Sequence, residues 1–276
     1  MPVFYILFFI LGTIFGSFLN VIICRLKTGE SIFKNRSHCP SCQKKLNWCE
    51  LIPIISFVIQ KGKCRNCGKK ISWQYPLTEL ATGLVFLLIL NFQFPISNFQ
   101  TLIHTGFLLL ISCFLVVLFV FDLKHYLVPD IIIYPAIVIA FLYNFQFSIF
   151  NFSARGGPAL GWQSIFNSLI FNYLLAGLIA GAFFLLIVLV SRGKWMGMGD
   201  VKIGILMGLI LGIPQIFVAL FLAFLIGAVV SVVLLILKKK TLKSEIPFGP
   251  FLIGATFIAL FWGEFLLNWY LGLSNL

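Results

Sequence analysis

Charge is what this sequence has least of. Only 10% of its 276 residues are Asp, Glu, Lys or Arg, while 61% are hydrophobic. A soluble domain needs a charged surface, so this composition excludes one and leaves an integral membrane protein. The mean hydropathy of +1.06 agrees. No repeat period accompanies the 32 phenylalanines, which excludes a solenoid. The opening stretch "MPVFYILFFILGTIFGSFLNVIICRL" lacks both a basic start and an Ala-x-Ala-like cleavage site. It is expected to be a retained span, not a removed signal peptide. Acidic residues are the scarcest charges, eight against 20 basic ones, for a formal net charge of +12. In a membrane chain that excess reads as positive-inside loops, so no nucleic-acid partner is expected.

What is present is a series of apolar runs. They predict an all-α integral membrane protein with about eight transmembrane helices, near 3–24, 77–94, 102–121, 131–149, 165–191, 201–213, 215–237 and 249–271. The sixth run is short for a full crossing and ends at Pro214, so it reads as a tilted or half-buried helix. Eleven Lys and Arg lie between 25 and 75, which makes that loop cytoplasmic. Alternation then makes 122–130, 192–200 and 238–248 cytoplasmic, with Lys124, Arg192, Lys194, Lys238, Lys239, Lys240 and Lys243. Only Arg155 is left outside, in an external linker at 150–163. Two units are expected: residues 1–75, a first span plus a cytoplasmic module, and residues 76–276, a helical bundle in the cytoplasmic membrane.

The module holds two Cys-x-x-Cys pairs, Cys39 with Cys42 and Cys64 with Cys67, 21 residues apart. Each pair can present two thiolates from one turn, and two such turns make a closed four-sulfur zinc site of the zinc-ribbon type. A closed site organises the loop and does not catalyse. Redox dithiols are the competing reading. Glu50 lies among apolar residues and Glu79 lies inside the second run. Either is a functional carboxylate or a helix-start residue pairing with a nearby base.

The bundle contains three aspartates, Asp122, Asp130 and Asp200, and the topology above puts all three at the cytoplasmic boundary. Asp122 ends the third run in "FDLKHYLVPD"; Asp200 begins the sixth in "GMGD". Two carboxylates held close cannot both ionise easily, so one keeps a proton while the other acts as base. Such a pair can activate water and protonate a leaving amine, which is aspartic proteolysis. Helix-end dipoles would put the shared proton on Asp122. Gly197 and Gly199 remove side chains beside Asp200 and would let a substrate backbone approach. Taken alone, "GMGD" reads as a turn with a capping Asp. Asp130, after Pro129, reads as a helix cap and as a reserve for the pair.

In order along the chain, "GSFLNVIICRL", "CPSC", "CELIPIISF", "CRNC", "YPLTELATG", "FDLKHYLVPD", "GMGDVKIG" and "IPFGPFLIGA" resemble the bifunctional type 4 prepilin leader peptidases. The GxGD element is also similar to that of presenilin-type intramembrane proteases, which lack the cysteine module. The resemblance implies cleavage of the basic leader of type IV prepilins or pseudopilins after a glycine. It also implies methylation of the new N-terminal residue with S-adenosylmethionine. By motif position, Asp122 and Asp200 are the protease pair, and Glu50 and Glu79 are associated with methylation. Gln74 stands where the family usually has arginine before "YP", and Lys27 where it often has proline. Two other classes compete: a transporter or channel using interfacial carboxylates, and a zinc-dependent assembly factor. A transporter would put its carboxylates near the midplane in paired repeats, and no such repeat is present.

Overall fold

The apolar runs form helices. The computed structural model describes residues 2–31, 37–95, 98–154, 169–238 and 246–274. The basic residues Lys34, Arg36, Arg155, Lys239, Lys240 and Lys243, and the 150–163 linker beyond residue 154, lie outside the described residues. Helices occupy every run: α1 (Pro2–Thr28), α3 (Gln74–Gln93), α4 (Phe99–His125), α5 (Asp130–Ala154), α6 (Leu169–Ser191), α7 (Met198–Leu211), α8 (Gln215–Ile236) and α9 (Gly249–Ser274). A short helix, α2 (Ile55–Ile59), lies between the cysteine pairs. Six helices among the described residues are long and apolar enough to cross a membrane: α1, α3, α4, α6, α8 and α9. The described part of α5 and the 14-residue α7 fall short of that length. Six spans are thus supported where about eight were expected.

The chain forms two compact units, Met1–Val120 and Phe121–Leu276. In the first, α1 packs on α3 through glycine. A methyl on Gly12 would come within 2.7 Å of Gly83 Cα, and one on Gly16 within 2.7 Å of Glu79 Cα. Lipid gives helices no hydrophobic reason to associate, so close backbone approach through small residues supplies the attraction.

The second unit repeats the device. Gly177 and Gly181 on α6 face Gly204 and Gly208 on α7. A methyl on Gly181 would meet Ile205 Cγ1 at 2.6 Å, and one on Gly208 would overlap the Gly177 backbone. α7 also touches α5, α8 and α9, and Val201, Ile203, Gly204 and every residue from Leu206 to Leu211 are buried. Its 14 residues rise about 21 Å, against about 30 Å of hydrocarbon. A helix that ends buried leaves carbonyls that need partners within the protein. Two asparagines satisfy them. Asn144 Nδ2 donates to Leu209 O at 2.7 Å; Asn172 Nδ2 donates to Ile213 O at 3.1 Å, and its Oδ1 accepts the Ile213 N–H at 2.7 Å. This is why the sixth run could be short.

Candidate functional sites: a carboxylate pair and a four-cysteine cluster

Asp122 sits in the last turn of α4 and is only 5% exposed. The helix stops just beyond it. Tyr126 takes a left-handed φ of 56° and donates its N–H to Asp122 O at 2.9 Å. Pro129 then starts α5, its carbonyl accepting the N–H groups of Ile132 and Ile133 at 3.0 and 3.1 Å. Asp200 lies in the first turn of α7, half-buried, where Gly197 in extended conformation is the helix cap. Its backbone N–H donates to Gly197 O at 3.2 Å. Asp122 Oδ2 and Ile203 Cδ1, on the residue three beyond Asp200, flank the same point beside Gly249, so the Asp122 side chain lies at the first turns of α7.

Asp122 has a second partner that the sequence did not announce. Its Oδ2 lies against Gly249, the first residue of α9. A methyl on Gly249 would overlap Asp122 Oδ2 and approach Ile203 Cδ1 to 3.0 Å. Asp122 thus stands at the C-terminal end of α4 and beside the first residue of α9, and Asp200 in the first turn of α7. The signal in the sequence was a glycine between Phe248 and Pro250 at a helix start.

The glycines of "GMGD" differ from one another. A methyl on Gly199 would lie 2.6 Å from Val128 Cγ2, so Gly199 makes room for Val128. Beside Gly197 the space is open, the nearest atom being Gly199 N at 3.9 Å. Asp130 is engaged elsewhere: Lys202 Nζ lies 2.5 Å from its Oδ1 and 4.9 Å from the Tyr134 ring centre. Val128 against Gly199 and Asp130 against Lys202 thus hold the α4–α5 turn on the first turns of α7. Neither Val128 nor Lys202 stood out in the sequence as a site residue.

In the first unit, two knuckles of the same form carry the cysteines. Cys39 N–H donates to Lys44 O at 3.0 Å and Gln43 N–H to Cys39 O at 2.9 Å. Cys64 N–H donates to Lys69 O and Gly68 N–H to Cys64 O, both at 2.9 Å. The residue after each second cysteine is left-handed, Gln43 with φ 56° and Gly68 with φ 69°. All four sulfurs lie within 4.8 Å of one another, with Cys39 and Cys67 at 4.0 Å. Four sulfurs about 2.3 Å from one ion lie about 3.8 Å apart, so the donor set fits tetrahedral zinc. The thiols are electrostatically uneven. The Lys44 backbone N–H and the Asn66 amide bring Cys42 down to about 6. Cys67 has the Lys69 N–H drawing it down, yet burial and the other three sulfurs push it up to about 11. Such crowding is relieved by a dication.

Glu79 is buried, and its Oε2 accepts the Ile54 N–H at 2.7 Å. Ile54 has a φ of 60°, an uncommon conformation for a β-branched residue, and that hydrogen bond helps hold it. Glu50 Oε2 accepts the Asn47 N–H at 2.9 Å, closing the Trp48–Glu50 turn. Gln74 Nε2 donates to Asn20 Oδ1 at 3.3 Å, while Gln74 Oε1 is buried with no hydrogen-bond partner.

Among the described residues, span-length helices, the carboxylates Asp122 and Asp200 at helix ends and a four-sulfur cluster have the make-up of a multi-pass membrane enzyme. Residues 10–93 match the Bacterial Peptidase A24 N-terminal domain, and residues 109–232 match the Type IV leader peptidase family. A prepilin leader peptidase/N-methyltransferase of Bacillus subtilis (strain 168) is 30% identical, over 96% of this chain and 97% of its own. Those of Stutzerimonas stutzeri and Pseudomonas aeruginosa are 28% and 29% identical, over 97% and 95% of this chain and 93% and 91% of theirs. This chain belongs to the type IV leader peptidase family. No solved structure matches it.

Proposed function

We propose that this chain cleaves the basic leader of type IV prepilins or pseudopilins after a glycine, at the cytoplasmic face of the cytoplasmic membrane. It then methylates the exposed N-terminal residue with S-adenosylmethionine. The observation that carries the peptidase reading is that Asp122, from one motif, is buried beside Gly249 and Ile203, the latter on the helix whose first turn carries Asp200 from the other motif. One carboxylate takes a proton from water as its oxygen attacks the scissile carbonyl carbon; the other, protonated, supplies the proton that the leaving amine needs. Gly197 leaves room for the peptide beside Asp200. A prepilin keeps its basic leader in the cytoplasm and its apolar helix in the bilayer, so the scissile bond meets the membrane boundary. An eight-span topology, with α5 and α7 inserted, brings both carboxylates to that boundary.

Residues 1–75 and 76–276 are taken as the methylation-associated and peptidase parts. Zinc held by Cys39, Cys42, Cys64 and Cys67 would fix the two knuckles together. S-adenosylmethionine supplies the methyl group. Glu79 and Glu50 act on methylation by holding the Ile54 and Asn47 backbones, not by touching the donor. A second reading, a peptidase that has lost methylation, rests on Gln74 in place of arginine with its Oε1 unpartnered.

Cleavage of a prepilin in membranes by the wild type, Asp122→Asn and Asp200→Asn tests the first activity. Methylation of a pre-cleaved pilin by the same preparations tests the second. Both Asn variants are expected to lose cleavage and keep methylation. Wild-type cleavage by either variant overturns the pair; wild-type protein that cleaves without methylating selects the second reading.

A further inference from the structure

The stretch between the knuckles, "WCELIPIISFVIQ", is apolar although it lies in an otherwise basic loop. Folding does not bury it. Trp48 is 75% exposed, Val58 67%, Ile59 64% and Ile55 55%, and nearby Trp73 is 69% exposed. Ile55, Val58 and Ile59 share one face of α2 by their i, i+3, i+4 spacing. Phe57 turns the other way, its ring 5.0 Å from that of Trp73.

Depth is set by Glu79. It is the sixth residue of α3, about 7.5 Å from the start of that span-length helix. Because Glu79 holds the Ile54 N–H, α2 begins alongside the second turn of α3, not beyond its end. The lysines of the knuckles, Lys44, Lys45, Lys63, Lys69 and Lys70, are exposed. Lys63 and Lys70 stand directly opposite each other in an antiparallel bridge, an unfavourable pairing unless anions lie near. Between residues 37 and 73 there is one acidic residue, Glu50, and its carboxylate is already engaged by Asn47.

An apolar face with tryptophans, lysines around it, no free acid and a fixed height at the end of a span has the chemistry of an interfacial segment. We infer that α2, Trp48 and Trp73 seat on an anionic phospholipid surface, with the knuckle lysines on its headgroups. The cysteine module then lies on the bilayer instead of standing free in water.

The test uses the full chain in nanodiscs of phosphatidylcholine, with and without phosphatidylglycerol. Single-tryptophan variants retain Trp48 or Trp73, the other five of the six being replaced by Phe. Bromine-labelled lipid is expected to quench both, with a blue-shifted emission and loss of iodide access, more strongly with phosphatidylglycerol. Lys44→Gln, Lys45→Gln, Lys63→Gln and Lys70→Gln together should remove that phosphatidylglycerol dependence. Zinc content reports whether the knuckles remain folded. In the unaltered chain, amide exchange over residues 48–60 should slow several-fold on adding phosphatidylglycerol. Free iodide access without bromolipid quenching overturns the inference. Protection from both quenchers also overturns it, and assigns the face to a protein partner or a second copy.

Discussion

Lys202 Nζ sits 2.5 Å from Asp130 Oδ1, which ties the helix carrying Asp200 to the start of the helix that follows Asp122. Asp130 is 60% exposed, so the pair adds well under about 1 kcal/mol to stability. Its value is positional. Lys202→Met and Asp130→Asn are each expected to lower kcat for leader cleavage about tenfold, with KM and thermal stability little changed. The exchange Asp130→Lys with Lys202→Asp should recover part of the loss. Steady-state kinetics in membranes separates this from a folding defect, which would lower the amount of active enzyme without rescue by the swap.

Gly199 and Val128 make a second contact whose removal has a defined remedy. Gly199→Ala brings a methyl to 2.6 Å from Val128 Cγ2, and cleavage should fall. Adding Val128→Ala empties that space and should restore it. If Gly199 served the substrate instead, the double variant would stay as slow as the single one.

Gly249 has no such remedy, because the atom in the way is the Asp122 carboxylate. Gly249→Ala is expected to cost about 10²–10⁴-fold in cleavage, comparable to losing the acid–base group itself. Combined with Asp122→Asn it should add little, since groups acting as one unit are not additive. Methylation of pre-cleaved pilin should persist in both.

Metal removal should act on the other unit. Any one of Cys39→Ser, Cys42→Ser, Cys64→Ser or Cys67→Ser is expected to abolish stoichiometric zinc and methylation while leaving cleavage in place. Zinc must displace every thiol proton still held. Cys42, near 6, is already a thiolate at neutral pH, whereas Cys67, near 11, is not. The affinity of the metal-free protein should therefore fall as pH falls, and more steeply below about pH 6, where Cys42 also takes up a proton. Chelator competition across that range reads the slope.

The α1–α3 contact predicts a stability loss. A methyl at position 16 would press on the Glu79 backbone, which cannot yield as a flexible side chain can. Gly16→Ala should destabilise by about 1–3 kcal/mol and loosen the Glu79–Ile54 hydrogen bond. Melting in detergent and amide exchange at Ile54 measure the two effects.

The helix runs were legible because a span announces itself through length and composition, and each run became a helix within a few residues of its expected ends. The cysteine quartet was legible because ligand spacing is local. What stayed hidden depends on which helix meets which. Asn144 and Asn172 are polar residues in apolar runs with no local reason to be there; only the buried end of α7 explains them. Gly249 and Lys202 likewise gain meaning from partners far along the chain. The shortness of the sixth run was visible, whereas the burial of most of its residues was not.

That burial keeps most of α7 away from the surrounding acyl chains. Gripped by α5, α6, α8 and α9 and buried continuously from Leu206 to Leu211, the helix offers little surface there on which bilayer thickness or lipid order can pull. Outer helices can tilt to suit thicker or thinner membranes while the carboxylate keeps its height. The same enzyme should then keep its cutting position as the cell changes its fatty acids with temperature.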